Sequence, residues 1–157
     1  MSDWRRLAGL PWADRRLLAR AAGMLAHAKL TLPSVDFRTA REAATVDADD
    51  SAATLARAQA IARLVGIASS RVPFRVACLH RSIVLWRLLR KEGIPCELKL
   101  GARRDAGPFE AHAWVECAGV ALNEDAPSLS RYSPFGDAVV PVRRGRPLQR
   151  LATRRAS

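Results

Sequence analysis

Apolar residues recur along this chain with two different periods, and the change from one to the other divides it. Leucines and alanines at positions 7, 10, 17, 18, 21, 25 and 28 keep roughly helical spacing among arginines, which predicts a helix over residues 4–30 closed by Pro33. Residues 34–52 are polar and locally acidic and are expected to be connection. A second helix is predicted over 53–68, with Asp50 or Ser51 as its N-cap and the run Ser69-Ser70-Arg71-Val72-Pro73 as its breaker. The third segment, Cys78 to Lys91, carries Leu79, Ile83, Val84, Leu85, Trp86, Leu88 and Leu89 on nearly all sides. A helix of that kind is buried rather than laid on a surface. Gly93, Ile94 and Pro95 stop it, with Arg90 and Lys91 in the last turn, where the helix dipole favours cations.

Alternation then replaces the helical period. Cys96-Glu97-Leu98-Lys99-Leu100 swaps apolar and charged residues as a half-buried strand does, and Arg103 to Pro108 is expected to be a loop. Residues 109–117 place Glu110, His112, Trp114 and Glu116 on one face of a strand and Ala111, Ala113, Val115 and Cys117 on the other. Ala118-Gly119 is a hairpin turn from which Val120 to Asn123 return as the next strand. Helices first and an antiparallel meander afterwards make an α+β domain, with a buried helix carrying a cysteine at its start. We divide the chain into an N-terminal helical segment and connection (1–52), a candidate for partner docking, a core (53–141) and a basic tail (142–157).

Composition narrows the classes. The chain has 157 residues, 49% of them hydrophobic, which suffices for one domain with its own core. It has no apolar run of about 18 residues, so no membrane span is expected. Its opening lacks the apolar stretch of a signal peptide, and three widely spaced cysteines make no disulfide framework, so a cytoplasmic protein with reduced thiols is expected. The net charge is +11, and six arginines with no acid fall between Val142 and Ser157. Such a charge steers a protein toward acidic peptides or partners. Nucleic acid is not expected, because the chain shows no zinc-finger or RNP-type sequence and its 6% aromatic content offers few stacking platforms.

The candidate chemistry sits where the two periods meet. Cys78 opens the buried helix, where unpaired backbone N–H groups favour a thiolate and can bind the oxyanion of a tetrahedral intermediate. His112 lies mid-strand between two small alanines, and acids follow in the hairpin. A nucleophile on a helix, a base on a strand and an acid that orients the base make a catalytic triad. The register leaves the acid open. A two-residue turn at Ala118-Gly119 pairs His112 with Asp125, whereas a three-residue loop with Gly119 left-handed pairs it with Glu124; Asn123 is a third option. Arg75 and Arg81 flank Cys78, either as cations for its thiolate or as solvated side chains. Trp86 and Trp114 are expected to be core aromatics, Cys96 and Cys117 buried thiols, and Trp4 and Trp12 either a docking face or core. Cys78, His80, His112 and Cys117 lack the paired spacing of a zinc site, so no metal is expected.

The run CLHRSIVLWRLLRKEGIPCELKLGARRD followed by FEAHAWVECAGVALNED resembles the transglutaminase-like cysteine protease family of lasso peptide biosynthesis, in its stand-alone B2 form. The likeness covers about residues 60–135. It implies a leader peptidase of papain-like core that uses no cofactor. Its substrate would be the leader of a ribosomally made precursor peptide, delivered by a separate B1 recognition protein, and the freed core would pass to an ATP-using cyclase. It implies Cys78 as nucleophile and His112 as base, and places the acid twelve residues after the histidine, at Glu124, where many relatives have Asp; Asp125 is the alternative. A non-catalytic peptide-binding scaffold of the same fold and an amide-transferring enzyme are the competing functions.

Overall fold

A computed structural model describes residues 9–31, 35–39, 52–103, 109–136 and 139–143. The element order is α1 (Trp12–Thr31), β1 (Val35–Thr39), α2 (Ala52–Arg71), α3 (Cys78–Lys91), β2 (Glu97–Arg103), β3 (Ala111–Cys117), β4 (Val120–Ala121), α4 (Ala126–Leu129), β5 (Tyr132–Pro134) and β6 (Val139–Arg143). α1 and α2 pack on α3, which packs on an antiparallel four-stranded sheet of order β4-β3-β2-β5, so the fold is α+β, as predicted. β1 and β6 pair antiparallel as a separate two-stranded ribbon. Residues 35–39 were expected to be connection; the short alternation Val-Asp-Phe-Arg-Thr forms a strand because β6 supplies its partner. The predicted first turns of the N-terminal helix, Trp4, Pro33, the Asp50 and Ser51 caps and most of the basic tail lie outside the described residues.

One helix organises the interior. α3 touches α1, α2, β2 and β3, and buries Ser82, Ile83, Val84, Leu85, Trp86, Leu88 and Leu89, which fulfils the expectation of a helix apolar all round. Leu17, Ala21, Leu25 and Ala28 of α1 and Ala58, Ile61, Ala62, Leu64, Val65 and Ala68 of α2 close on it, and Leu98, Val115 and Cys117 meet it from the sheet. Alanines at the helix contacts let the backbones approach closely. The end of α3 is tied off by Ile94 N–H donating to Leu89 O (3.0 Å) and Gly93 N–H to Arg90 O (3.2 Å), with Gly93 at φ +73°. α2 runs three residues past its predicted end, because Ser69 and Ser70 turn their hydroxyls back onto Gly66 O (2.8 Å) and Ile67 O (2.9 Å) instead of breaking the helix. Trp12 is 68% exposed beside Arg15, so it is not core, whereas Trp86 and Trp114 are. Among the described residues no helix is long and apolar enough to cross a membrane.

The sheet's second face is shaped by an absent side chain. Gly101 of β2 pairs with His112 on one side and Pro134 on the other. A Cβ at Gly101 would lie 2.6 Å from Ser133 O and 3.0 Å from the Trp114 ring. Gly101→Ala should therefore destabilise the fold by about 1–3 kcal/mol, the usual cost of overpacking. Denaturant unfolding checks this; an unchanged midpoint would mean that β5 does not close against β2 as described.

Candidate active site

Cys78 is the first residue of α3, half-buried, behind Ala77 in extended conformation (φ −74°, ψ 158°), and no side chain caps the helix. The first intrahelical bond runs from Arg81 N–H to Ala77 O (3.2 Å), so the N–H groups of Cys78, Leu79 and His80 precede it. Those donors, with the positive end of the helix dipole, suit a thiolate at Cys78 or an oxyanion beside it. Burial and the nearby Lys29 push the His80 pKa down, and its Nδ1 is buried without a hydrogen-bond partner.

The helix start is pinned to the strand that carries the histidine. Ser82, one turn after Cys78 on the same helix face, donates from Oγ to Ala113 O (2.8 Å), the carbonyl next to His112. Asn123 donates from Nδ2 to Ser82 Oγ (3.0 Å) and accepts at Oδ1 from Val115 N–H (2.8 Å). His112 directs Nε2 to Glu124 Oε1 (3.2 Å), both side chains being largely buried (15% and 16% exposed). The Nε2 edge of the ring thus faces the carboxylate, and Nδ1 is its other ring nitrogen. Arg81 also reaches Glu124 Oε1, and its Nη2 donates to Asn123 O (3.2 Å). Arg81 thus serves the acid rather than the cysteine, which corrects its expected place, and Arg75 is exposed.

The choice among acids follows from where β4 stops. The two-residue turn forms, with Ala118 at φ 48° and Gly119 at φ 73°, and pairs Cys117 with Val120 and Glu116 with Ala121. Extended further, that register would bring Asp125 to His112. It carries one more ladder bond, from Leu122 N–H to Val115 O (2.9 Å), and stops there, because the Asn123 side chain takes the Val115 N–H in place of the Leu122 carbonyl. The returning strand is therefore Val120–Ala121 and not Val120–Asn123, and the chain bends so that Glu124 meets His112. Asp125 is exposed, and hydrogen bonds from Ser128 at the start of α4 hold its carboxyl below the usual range. Asn123 bonds Val115 and Ser82 and does not orient the ring.

Tyr132 was not foreseen. Its ring stacks on His112 with centroids 4.8 Å apart, and Trp114 lies at 6.3 Å from the imidazole. Tyr132 O–H donates to Glu110 Oε1 (2.9 Å), and Arg103 holds Glu110 Oε2 (2.9 Å). A lone tyrosine carries no spacing signal; only the pairing of β5 with β2 brings it here. The hydrogen bond lowers the Glu110 pKa and raises that of Tyr132. The clamp thus adds stability above the unfolded carboxyl pKa that is lost as pH falls through the depressed value. It likewise adds stability below the unfolded phenol pKa that is lost as pH rises through the elevated one. Tyr132 is the single tyrosine of the chain, so ultraviolet titration reads it alone. Its pKa should lie above the ordinary value and fall back toward it in Glu110→Gln; a normal pKa in the unsubstituted protein would mean that the clamp is not formed.

Of the cysteines, Cys117 is buried on β3, and burial pushes the Cys96 thiol up to about 12, so neither suits a nucleophile at neutral pH. No curated protein and no solved structure matches this chain. The family model described as the transglutaminase-like superfamily matches residues 22–136, from α1 through β5. With that match over most of its length, and a cysteine-led helix packed against a histidine-bearing strand, the chain belongs to the transglutaminase-like superfamily, whose members are usually cysteine-dependent enzymes.

Proposed function

We propose that this protein is a cysteine peptidase that removes the leader from a lasso precursor peptide, with Cys78 as nucleophile, His112 as general base and acid, and Glu124 as the group that orients the imidazole. The observation that carries this reading is the contact of His112 Nε2 with Glu124 Oε1 (3.2 Å), which leaves Nδ1 to serve a thiol at the uncapped start of α3. The motif that resembles the B2 proteins supports the substrate, and the net charge of +11 suits an acidic leader or partner. The leader is presented by a separate B1 recognition protein, and the core passes to the cyclase. The work takes place in the cytoplasm, where thiols stay reduced.

The chemistry is acyl transfer. His112 Nδ1 takes the Cys78 proton, and the thiolate attacks the carbonyl at the leader–core junction while the first N–H groups of α3 receive the developing oxyanion. His112 returns the proton to the departing amine of the core, which leaves the leader as a thioester on Cys78. A water deprotonated by His112 then attacks the thioester, releasing the leader carboxylate and restoring the thiol. Glu124 accepts the Nε2–H hydrogen bond throughout without taking the proton, which fixes the tautomer and stabilises the imidazolium.

Mass spectrometry of the cognate precursor peptide, mixed with this protein and its B1 partner, tests the reading. Cleavage at one bond is expected, with Cys78→Ala and His112→Ala slowing it by at least about 10³-fold. Glu124→Ala should slow it by roughly 10²- to 10⁴-fold, and Asp125→Ala should cleave within about twofold of the parent, since only Glu124 meets the ring. An isopeptide-linked product in place of free leader would favour amide transfer. No turnover with the partner present, or turnover indifferent to Cys78, would overturn the peptidase and leave a peptide-binding scaffold.

A further inference from the structure

We infer that Arg81 is a positioning residue for the acid: it ties Glu124, and through it His112, to the helix that carries Cys78. The inference deepens the peptidase reading above and rests on it. Arg81 stands three residues after Cys78 on α3, next to Ser82. Its Nη2 meets two acceptors on consecutive residues, the carbonyl of Asn123 and the carboxylate of Glu124. The carboxylate oxygen it holds is the one that receives His112 Nε2, so guanidinium and imidazole share a single acceptor atom. The pair is not a surface ion pair free to come apart, because the Arg81 side chain is 31% and that of Glu124 16% exposed.

Two further facts argue that this arginine acts on the site rather than merely filling space. Its Nε is buried with no hydrogen-bond partner, so the guanidinium is held here although one of its donors goes unsatisfied. Glutamate also has one more rotatable bond than aspartate, and a carboxylate on the longer arm needs a second anchor to stay against the ring. Ser82, Asn123 and Arg81 together make α3 the common support of nucleophile and acid, so the distance from Cys78 to the His112–Glu124 pair is set within one helix turn. The shared oxygen also sets a limit. Arg81 and a His112 imidazolium draw on the same negative charge, so the arginine's contribution is to place the carboxylate and not to add to its pull.

The test reads Cys78 itself and needs no peptide. In the folded full-length chain, alkylation by iodoacetamide at neutral pH reports Cys78, because Cys117 is buried and the Cys96 thiol is pushed up to about 12. Arg81→Met should slow it by roughly 10- to 100-fold, the loss typical when a hydrogen-bonding support behind an active-site group is removed. Arg81→Lys, which keeps a cationic donor for Glu124, should recover at least about half of the parent rate. In a Glu124→Gln background Arg81→Met should cost no more than about twofold further, since the arginine acts through that carboxylate. Near-UV circular dichroism from the four tryptophans shows whether each variant is packed. With packing intact, an Arg81→Met rate equal to or above the parent's, a failed lysine rescue, or losses that multiply in the double variant would each overturn the inference alone. A parent thiol no faster than free cysteine and indifferent to His112→Ala would overturn the peptidase reading and this inference with it.

Discussion

The arrangement depends on one side-chain amide. Asn123 stands where the β4 ladder ends, and its Oδ1 takes the Val115 N–H that a longer strand would have taken (2.8 Å). Its Nδ2 reaches Ser82 on α3 (3.0 Å), whose hydroxyl in turn bonds Ala113 O (2.8 Å). One residue thus satisfies a strand edge, stops the strand and fastens the nucleophile helix to the histidine strand. Each bond lies at least partly away from water, where leaving a partner unmatched costs about 1–3 kcal/mol, so the three hold or fail together.

From that point the geometry propagates outward. Because the strand stops at Ala121, the chain bends and brings Glu124, the next residue after Asn123, to His112. Because Ser82 sits one turn from Cys78, the same clamp sets the height of the cysteine along β3. The hydrophobic interior makes this rigid: α3 is buried all round by α1, α2 and the sheet, so it has no freedom to slide. On the outer face Gly101 leaves room for Ser133 O and the Trp114 ring, and Tyr132, tied down by Glu110 and Arg103, stacks on the imidazole. Helix start, strand and bend each contribute one group, and only their packing makes a site of them.

Much of this was legible in the amino-acid order. The boundaries of α3 follow from its all-round apolar pattern and the Gly-Ile-Pro stop, and β3 from the small and charged residues that alternate along most of it, because both signals come from burial that the chain itself encodes. Cysteine at a helix start and histidine between alanines were visible for the same reason. The choice between Glu124 and Asp125 was not legible, because a side chain, Asn123, rather than a backbone turn ends the ladder. Arg81 lies on the same face of α3 as Cys78, and that its guanidinium meets Glu124 depends on the bend after β4, 43 residues along the chain, which short-range pattern does not carry. Tyr132 and the β1–β6 ribbon depend on pairings across 29 or more residues in the chain, for which short-range pattern holds no information.

The central claim is that the imidazole of His112 gives Nε2 to Glu124 and keeps Nδ1 for the cysteine. Nitrogen-15 NMR of histidine-labelled protein tests it most directly, in the Cys78→Ala chain so that no thiolate shares the proton, and at a pH where the ring is neutral. The account predicts a proton on Nε2 and none on Nδ1 for His112, with the Nε2–H signal altered by Glu124→Gln and untouched by Asp125→Asn. A proton on Nδ1, or an Nε2–H indifferent to Glu124, would contradict it.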